Sequence, residues 1–394
     1  MRYAVAVLFF FTSTVTFSIS RTDSTKLLLE DTGVQIDATA AVNAMYNFDF
    51  DESARLYREL RFRHPKHPLS FFLSGLNLWW MIMPDEEQTT YDDRFMHYMD
   101  TTIAVAMPML EHEDTRIEAA FFLAAAYGFK ARLLSDRESW GKAASNGKKS
   151  LDYLEICKEQ SYLSPELLFG EALYNYYSVW IPENYSFLKP IMLFFPKGDK
   201  ELGLNQLKEV SSYAFYTRIE AQLFLMRILS SDYQKYEEAL RIAEYLHQTY
   251  PDNPVFHRYY VRYLYSLHRY SKMEPEAKVL LDRIDSGRFG YEATSGRYAG
   301  FFLGQMYEGR RQLDSAKYYY TRAVSFGEEN EAYETGYYLY SLLGLGRIAD
   351  KEGDRKEAKE YFKKIKGYAK RKSSAHKAAR EYMKERKKKD KELD

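Results

Sequence analysis

The sequence LLGLGRIADKEGDRKEAKEYFKKI, residues 342–365, decides the fold of this chain. Its first half has the composition of a helix with a small residue, Gly346, where a second helix could approach closely. Gly353-Asp354 then interrupts the helical pattern with two residues that turns prefer. The second half places apolar residues at spacings of four and three, and these are Ala358, Phe362 and Ile365. The stretch therefore predicts two antiparallel helices joined by a tight turn.

The same pattern recurs upstream of this unit. Gly304 precedes Ala316 by twelve residues, the separation that the matching Gly and Ala of the C-terminal unit also show. Further upstream, Ala239 and Met273 are 34 residues apart, whereas the two later steps are 43 and 42 residues. Two helices in about 34 residues form the tetratricopeptide unit, and the chain resembles that superfamily. The resemblance implies an all-α fold, an irregular α-solenoid of stacked antiparallel helix pairs.

Additional helices extend the array toward the N-terminus. The first unit turns at residues 48–52 and carries Ser53, Tyr57 and Leu60 behind the turn. Periodic apolar residues then predict helices over 69–83, 91–110, 116–134, 140–157 and 165–180, and again from about residue 200. The solenoid is therefore expected to contain about six helix pairs. An apolar insert, residues 181–200, interrupts it and must either be buried or dock on another molecule.

The middle of the chain carries a narrower resemblance. Its residues are Phe169-Gly170, Ser178, Trp180-Ile181-Pro182, Gly198-Asp199-Lys200 and Gly203-Leu204. In this order they resemble the eukaryotic tetratricopeptide proteins of the mitochondrial outer-membrane and inclusion-body-clearance group, over about residues 160–280. That group has no established catalytic residues, so the resemblance implies none here.

The N-terminus predicts export. Met1-Arg2 precedes an apolar stretch over residues 4–17, and Ser18-Ile19-Ser20 supplies the small residues that a signal peptidase reads. We therefore predict a signal peptide at 1–20, with an uncleaved anchor as the alternative, and a periplasmic or secreted protein. A linker at 21–38, the solenoid at 39–368 and a basic helical tail at 369–394 complete the organisation.

The composition is compatible with an exported helical protein. The 394 residues carry 56 basic and 56 acidic side chains, so no overall field attracts nucleic acid. With 36 Tyr, 25 Phe and 11 Pro, the chain has few helix breakers and many rings for helix interfaces. Its single cysteine, Cys157, cannot form an internal disulfide, so stability must come from a large core. We interpret this thiol as a packed helix residue.

The tail differs from the array in charge. Residues 370–394 contain eleven Lys or Arg and five Asp or Glu. We interpret the segment from Ser373 to about Lys389 as a helix that caps the solenoid. A docking site for an anionic partner is the alternative.

No motif in the chain predicts a chemical reaction, a cofactor or a metal. The eight histidines show no zinc-binding spacing, and the pair His64 and His67 lies in a loop with Pro65 and Pro68. Neither a phosphate-binding loop nor a Gly-x-Ser-x-Gly elbow occurs. Catalytic groups can converge from distant residues, so an enzyme is the least favoured reading rather than an excluded one.

The concave face of a solenoid is the expected binding surface, because the first helix of each pair lines it. Tyr and Arg side chains combine contact area with hydrogen-bond donors. Those expected to bind a partner are Tyr174, Tyr177, Arg227, His257, Tyr260, Arg262 and Tyr263. The alternative for each tyrosine is that its ring fills a gap between helices.

The resulting hypothesis is an exported scaffold that binds a protein or peptide partner in a concave groove, within an envelope or membrane-associated complex. The alternative is a glycan-binding or small-ligand-binding component of an outer-membrane uptake or assembly system. No nucleic acid, cofactor or metal is predicted as a partner.

Overall fold

The computed structural model describes residues 28–158 and 164–393, and every regular element in those two ranges is helical. Three short 3-10 turns occur there, at Leu28–Glu30, Met107–Glu111 and Ser186–Leu188. The α-helices of these ranges are α1 Thr32–Tyr46, α2 Phe50–Arg63, α3 Leu69–Ile82, α4 Asp92–Ala106, α5 Glu113–Asp136, α6 Trp140–Lys158, α7 Pro165–Asn184, α8 Lys189–Met192, α9 Lys200–Tyr213, α10 Arg218–Ser231, α11 Tyr236–Thr249, α12 Pro254–Ser266, α13 Tyr270–Asp285, α14 Ala293–Gly309, α15 Leu313–Glu329, α16 Gly336–Lys351, α17 Arg355–Tyr368 and α18 Ser374–Leu393.

The helices pack as consecutive antiparallel pairs, which confirms the predicted α-solenoid. The pairs are α1/α2, α3/α4, α5/α6, α7/α9, α10/α11, α12/α13, α14/α15 and α16/α17. The described part of the chain thus contains eight pairs rather than about six. The prediction was low because the long connections between residues 69 and 158 obscure the repeat, although α3 to α6 form two complete pairs.

The stretch that predicts the fold has the expected local structure. Gly353 adopts a φ of 86°, which glycine tolerates without strain, and the Asp354 side chain accepts a hydrogen bond from the backbone N–H of Glu357 at 2.9 Å. A Cβ atom on Gly346 would come within 2.8 Å of the Phe362 ring. The small residue is therefore required because the aromatic ring of the second helix packs directly on the first.

Helix α1 contacts residues that are distant from it in sequence, and these contacts close the first part of the solenoid. The Asn253 side chain donates to the Tyr46 carbonyl at 2.8 Å, and the Tyr250 hydroxyl donates to Asn43 at 2.9 Å. The Asp252 N–H donates to the Asn47 side chain at 3.1 Å. These partners are more than 200 residues apart in sequence. The first six pairs therefore bend back on themselves, with α1 against the start of α12.

Several predicted boundaries differ from the structure. Helix α1 begins at Thr32, inside the stretch predicted as a linker, and the predicted signal peptide lies outside the described residues. Helix α7 continues past Pro182 to Asn184, since a proline in the last turn removes only one intrahelical hydrogen bond. Among residues 28–158 and 164–393, no helix combines the length and apolarity needed to span a bilayer.

The beginning of the basic tail caps the solenoid, as its helical interpretation predicts. Ala375 and Ala379 of α18 are buried against the last pair. The Tyr382 ring stacks on the Phe362 ring with a centroid separation of 3.9 Å. Arg386 forms an ion pair with Asp350 of α16. The alternative role, docking of an anionic partner, stays a prediction.

Candidate functional site

The closed part of the solenoid surrounds a cavity of about 850 Å³. Its wall is formed by the first helix of each of the first six pairs, namely α1, α3, α5, α7, α10 and α12, with α6 and the insert after α7 adding to it. The cavity thus occupies the concave side that the repeat pattern predicts as the binding surface. Volumes of this size are typical of pockets for small ligands and short peptide segments.

Most of the cavity wall is apolar. Large side chains from α3, α5, α7 and α10 face it, together with small residues of α5 and α6 that leave space open. The large ones are Phe72, Leu76, Phe122, Phe129, Phe169, Leu173 and Phe224, and the small ones are Ala124, Gly128, Ala131, Ala144 and Gly147. Binding of an apolar group to a wall of this kind is favourable, because it removes apolar surface from water.

The insert after α7 covers one side of the cavity. Ile191, Met192 and Phe195 line the wall, whereas the side chains of Leu193 and Phe194 between them are 85% and 83% exposed. Neighbouring residues of one insert thus face the cavity and the solvent in turn, and docking of the exposed pair on another molecule stays a prediction.

Helix α7 holds the C-terminal end of the insert in place. The Tyr174 hydroxyl donates to the Pro196 carbonyl at 2.5 Å, and the Gly198 N–H donates to the Ser178 hydroxyl at 3.0 Å. A Cβ atom on Gly198 would lie 2.6 Å from the backbone oxygen of Asn175. The glycine is needed because the returning chain lies directly on the helix.

Three arginines add positive charge to the apolar wall. They are Arg132 on α5, Arg227 on α10 and Arg262 on α12. Within the described residues, none of the three forms an ion pair with a carboxylate. The Arg132 guanidinium instead lies over the Trp79 ring at 4.7 Å and near the Phe224 ring at 5.3 Å. Half-buried guanidinium groups in such a setting favour an anionic group on whatever occupies the cavity.

Three carboxylates, Glu86, Asp136 and Glu220, line the same cavity as the arginines. Glu86 and Asp136 are exposed and form no ion pair with the three arginines in the described part of the chain, although Asp136 interacts electrostatically with Arg132 and Arg227. Glu220 of α10 is buried, and its carboxylate accepts from the Trp80 indole N–H at 2.9 Å and the Tyr46 hydroxyl at 3.4 Å. Burial raises the pKa of this carboxyl group, while the two hydrogen bonds oppose the shift.

Of the residues predicted to bind a partner, four line the cavity and three do not. Tyr174, Tyr177, Arg227 and Arg262 belong to its wall. His257, Tyr260 and Tyr263 are buried between helices, which places them out of reach of a partner in this conformation. The Tyr263 hydroxyl, for example, lies 2.9 Å from the Ser230 hydroxyl, so its ring fills a gap between α12 and α10. Any role of the four in binding stays a prediction.

The sequence analysis missed Arg132 of the cavity wall and a separate cluster of two histidines and a glutamate. Arg132 lies in α5, whose Ala and Phe content indicates only tight packing. The 35-residue spacing between Arg227 and Arg262, about one repeat, is a signal that places both on the same face of successive units. His247, His257 and Glu276 converge elsewhere without any spacing typical of a metal site.

The single cysteine lies in the packed interior, as its interpretation as a packed helix residue predicts. Cys157 is buried near the end of α6, and burial raises the pKa of its thiol to about 12. At neutral pH the thiolate needed for covalent catalysis is therefore scarce.

No protein-family model matches the chain, and no curated protein matches it. A human IFIT1 dimer with PPP-AAAA aligns with 80% of this chain and 68% of that chain, at 13% identity and a TM-score of 0.41. Yeast Tom70 aligns with 92% and 91%, at 9% identity and a TM-score of 0.37. A circular tandem repeat protein with novel repeat topology aligns with 90% and 97%, at 12% identity and a TM-score of 0.25.

The helix pairs themselves define the class of the protein. The chain resembles the tetratricopeptide superfamily in its stacked pairs, its Gly-Asp turns and the small residues at pair contacts. It differs from a regular array by the closure of the first six pairs around a cavity. The narrower resemblance of residues 160–280 stays a prediction.

Proposed function

We propose that the protein is an exported, non-catalytic binding scaffold that holds a short segment of a protein or peptide partner in its central cavity. The observation that supports this most is the mainly apolar cavity of about 850 Å³ on the concave side of the solenoid. Concave, mostly apolar pockets with a few placed polar groups are the usual form of a ligand site. The sequence contributes no catalytic motif that would favour a reaction there.

The three cavity arginines define the chemistry of the partner. An apolar segment would contact the Phe and Leu side chains, and an acidic group on it would meet Arg132, Arg227 and Arg262. A charge-assisted hydrogen bond to a guanidinium contributes about 1.5–3 kcal/mol. We therefore expect an apolar peptide that carries a carboxylate to bind better than its neutral counterpart.

Fluorescence anisotropy with labelled pentapeptides tests this function. Ala144→Phe fills part of the cavity and is expected to abolish binding of apolar acidic peptides, whereas Ala40→Phe on the exposed face of α1 is the matched control. Arg227→Gln is expected to weaken acidic peptides by about tenfold and neutral ones little, a difference of about 1.4 kcal/mol. Equal binding by Ala144→Phe and Ala40→Phe would contradict the proposed site.

A small apolar ligand with an acidic group is the second candidate. The cavity volume lies inside the range of about 300–1,000 Å³ that small-ligand pockets occupy. A glycan fits less well, because most of the exposed surface of the wall is apolar. Native mass spectrometry of protein purified from its own cells separates the two: a bound small molecule that Ala144→Phe loses would favour this candidate over the peptide.

Export is proposed from the N-terminal sequence alone. The predicted signal peptide ends at Ser20, so we expect the mature protein in the periplasm or outside the cell. N-terminal sequencing of protein from the envelope and medium fractions tests this. A chain that keeps Met1 and stays in the cytosolic fraction would contradict it.

A further inference from the structure

The insert between α7 and α9 has an outer face that is apolar and exposed. Its backbone turns continuously from Ser186 through α8 to a last turn, in which the N–H groups of Leu193 and Phe194 donate to carbonyls of α8 at 3.2 Å. The side chains of Leu193 and Phe194 are 85% and 83% exposed, and that of Phe187 is 59% exposed. Side chains this exposed project from the surface instead of lining a groove.

Helical spacing places the projecting side chains on one side of these turns. Phe187, Pro190 and Phe194 follow one another at separations of three and four residues. Lys189 and Leu193 are four residues apart, and residues at such separations are neighbours on a helix surface. The opposite side lines the cavity with Ile191, Met192 and Phe195. The insert is therefore apolar on both sides, and only the inner side packs within the solenoid.

The charge of the insert is positive. Residues 185–198 include Lys189 and Lys197 but no acidic residue. Both lysines are exposed, and within residues 28–158 and 164–393 neither forms an ion pair. The neighbouring Lys200, by contrast, forms ion pairs with two carboxylates at 3.1 Å. Two ammonium groups that are available to a partner therefore accompany the apolar face.

We propose that this outer face docks on the surface of an anionic lipid bilayer. Phe187, Leu193 and Phe194 enter the boundary between head groups and acyl chains, where apolar side chains leave water. Lys189 and Lys197 remain among the head groups and attract their negative charge. Docking of this kind places the protein on the membrane and requires no helix that spans it.

The area of the face favours a bilayer over a second protein chain. A Phe side chain buries about 150–250 Å² when it is covered, so two Phe and one Leu with these exposures offer on the order of 400 Å². Each partner in a standard protein interface buries about 800 Å². A fluid bilayer can take up single projecting side chains, whereas a protein partner would need a complementary surface for each of them.

Co-sedimentation with lipid vesicles tests this docking, with the chain that the predicted signal cleavage leaves, residues 21–394. We expect binding to vesicles of equal parts phosphatidylglycerol and phosphatidylcholine, and weaker binding to phosphatidylcholine alone. Leu193→Ser combined with Phe194→Ser should lower the affinity for the anionic vesicles at least about tenfold, because two apolar side chains are lost from the bilayer. Phe62→Ser is the matched control, since this ring on α2 is 87% exposed, and it should bind as the wild type does.

The two lysines are tested separately from the apolar side chains. Lys189→Gln combined with Lys197→Gln should reduce the preference for anionic over neutral vesicles, and the reduction should be largest at low salt, where charges are least screened. Binding to neutral vesicles should change little, because the apolar side chains are retained.

A fluorescent label on the insert reports its insertion directly. The native Cys157 is buried, so a thiol-reactive, environment-sensitive fluorophore reacts selectively with the new thiol of Phe194→Cys. Its emission should shift to the blue when anionic vesicles are added. The same fluorophore attached to Phe62→Cys should show no shift.

The outcomes separate a membrane surface from an interface between two copies of the chain. Absence of binding to anionic vesicles, or an equal loss in Phe62→Ser, would overturn the proposal. It would also be overturned if substitution of Leu193 and Phe194 abolished self-association in sedimentation velocity but left vesicle binding unchanged. All substituted side chains are exposed, so the variants are expected to fold, and circular dichroism checks this. Peptide binding in the cavity uses the inner side of the insert, so either idea can fail alone.

Discussion

At the scale of single residues, the contact between Gly346 and Phe362 explains why a short stretch of sequence predicts this fold. The Phe362 ring is fully buried and fills the space that a side chain on residue 346 would need. The same relation links Gly304 to Tyr320, where a Cβ atom would meet the ring at 2.5 Å. The glycine thus leaves the space that the aromatic ring fills, and the spacing of the two residues is visible in the sequence.

Gly346→Ala is therefore expected to destabilise the last helix pair. The new methyl group would overlap the Phe362 ring, and overpacking of this kind costs about 1–3 kcal/mol. Gly367→Ala in α17 is the control, since a Cβ atom there meets nothing within 4 Å, and it should be neutral or slightly stabilising. Chemical denaturation measures both changes, and an equal effect of the two substitutions would contradict the packing argument.

Glu220 is a second residue whose role can be measured, and its carboxylate lies deep in the wall. Because burial raises its pKa above that of the unfolded chain, the folded state favours the protonated form. Ionisation of this carboxyl group therefore lowers the free energy of unfolding. This loss is absent below the pKa of the unfolded state and reaches its full size above the pKa of the folded state. The chain should accordingly lose stability through this group as pH rises through that window.

We expect Glu220→Gln to be stabilising relative to the wild type at neutral pH, with the difference vanishing at acidic pH. Trp80 and Tyr46 donate to the same carboxylate oxygen, so the amide oxygen of glutamine can keep both hydrogen bonds while the charge is removed. Glu220→Ala should instead lose about 1–3 kcal/mol at either pH, because both buried donors are left without an acceptor. Thermal unfolding of the three proteins at two pH values decides this, and a pH-independent difference for Glu220→Gln would argue against a raised pKa.

At the scale of elements, the helices were largely predictable and the insert was not. Apolar periodicity places α3, α6 and α7 within a few residues of their observed starts and α5 within three. It could not show which side of the insert is buried, because Ile191 to Phe195 are uniformly apolar. The Tyr174 and Gly198 contacts to the insert decide that orientation, and they join separate segments of the chain.

The insert provides a matched pair of variants for ligand binding. Phe195→Ala removes part of the cavity wall, whereas Phe194→Ala makes the same change on the adjacent exposed ring. We expect the first to weaken an apolar, anionic dye such as 1-anilinonaphthalene-8-sulfonate by about tenfold, since a buried ring contributes about 1.5–3 kcal/mol. The second should bind normally. A fluorescence titration in which Phe194→Ala loses affinity instead would show that the dye occupies the outer face.

At the scale of the whole molecule, closure of the first six pairs creates the cavity, and local sequence patterns could not reveal it. Periodicity reports on neighbours three or four residues apart, whereas Asn253 meets Tyr46 across 207 residues. The predicted concave face was therefore correct in its helices but was expected as an open groove. Closure also explains why Tyr177, Arg227 and Arg262, which come from three different pairs, line one cavity.

Asn253→Asp tests this closure without removing the start of α12. The wild-type side chain accepts from the N–H groups of Val255 and Phe256 at 3.0 and 3.1 Å, and aspartate preserves that cap. It cannot donate to the Tyr46 carbonyl, and it places a carboxylate against that oxygen in a fully buried position. We expect faster hydrogen exchange in α1 and unchanged exchange in α16 and α17. Asp199→Asn, a cap on α9, is the control and should leave α1 protected. If exchange in α1 stays slow in Asn253→Asp, the remaining contacts of α1, including those with Tyr250 and Asp252, are sufficient to keep the solenoid closed.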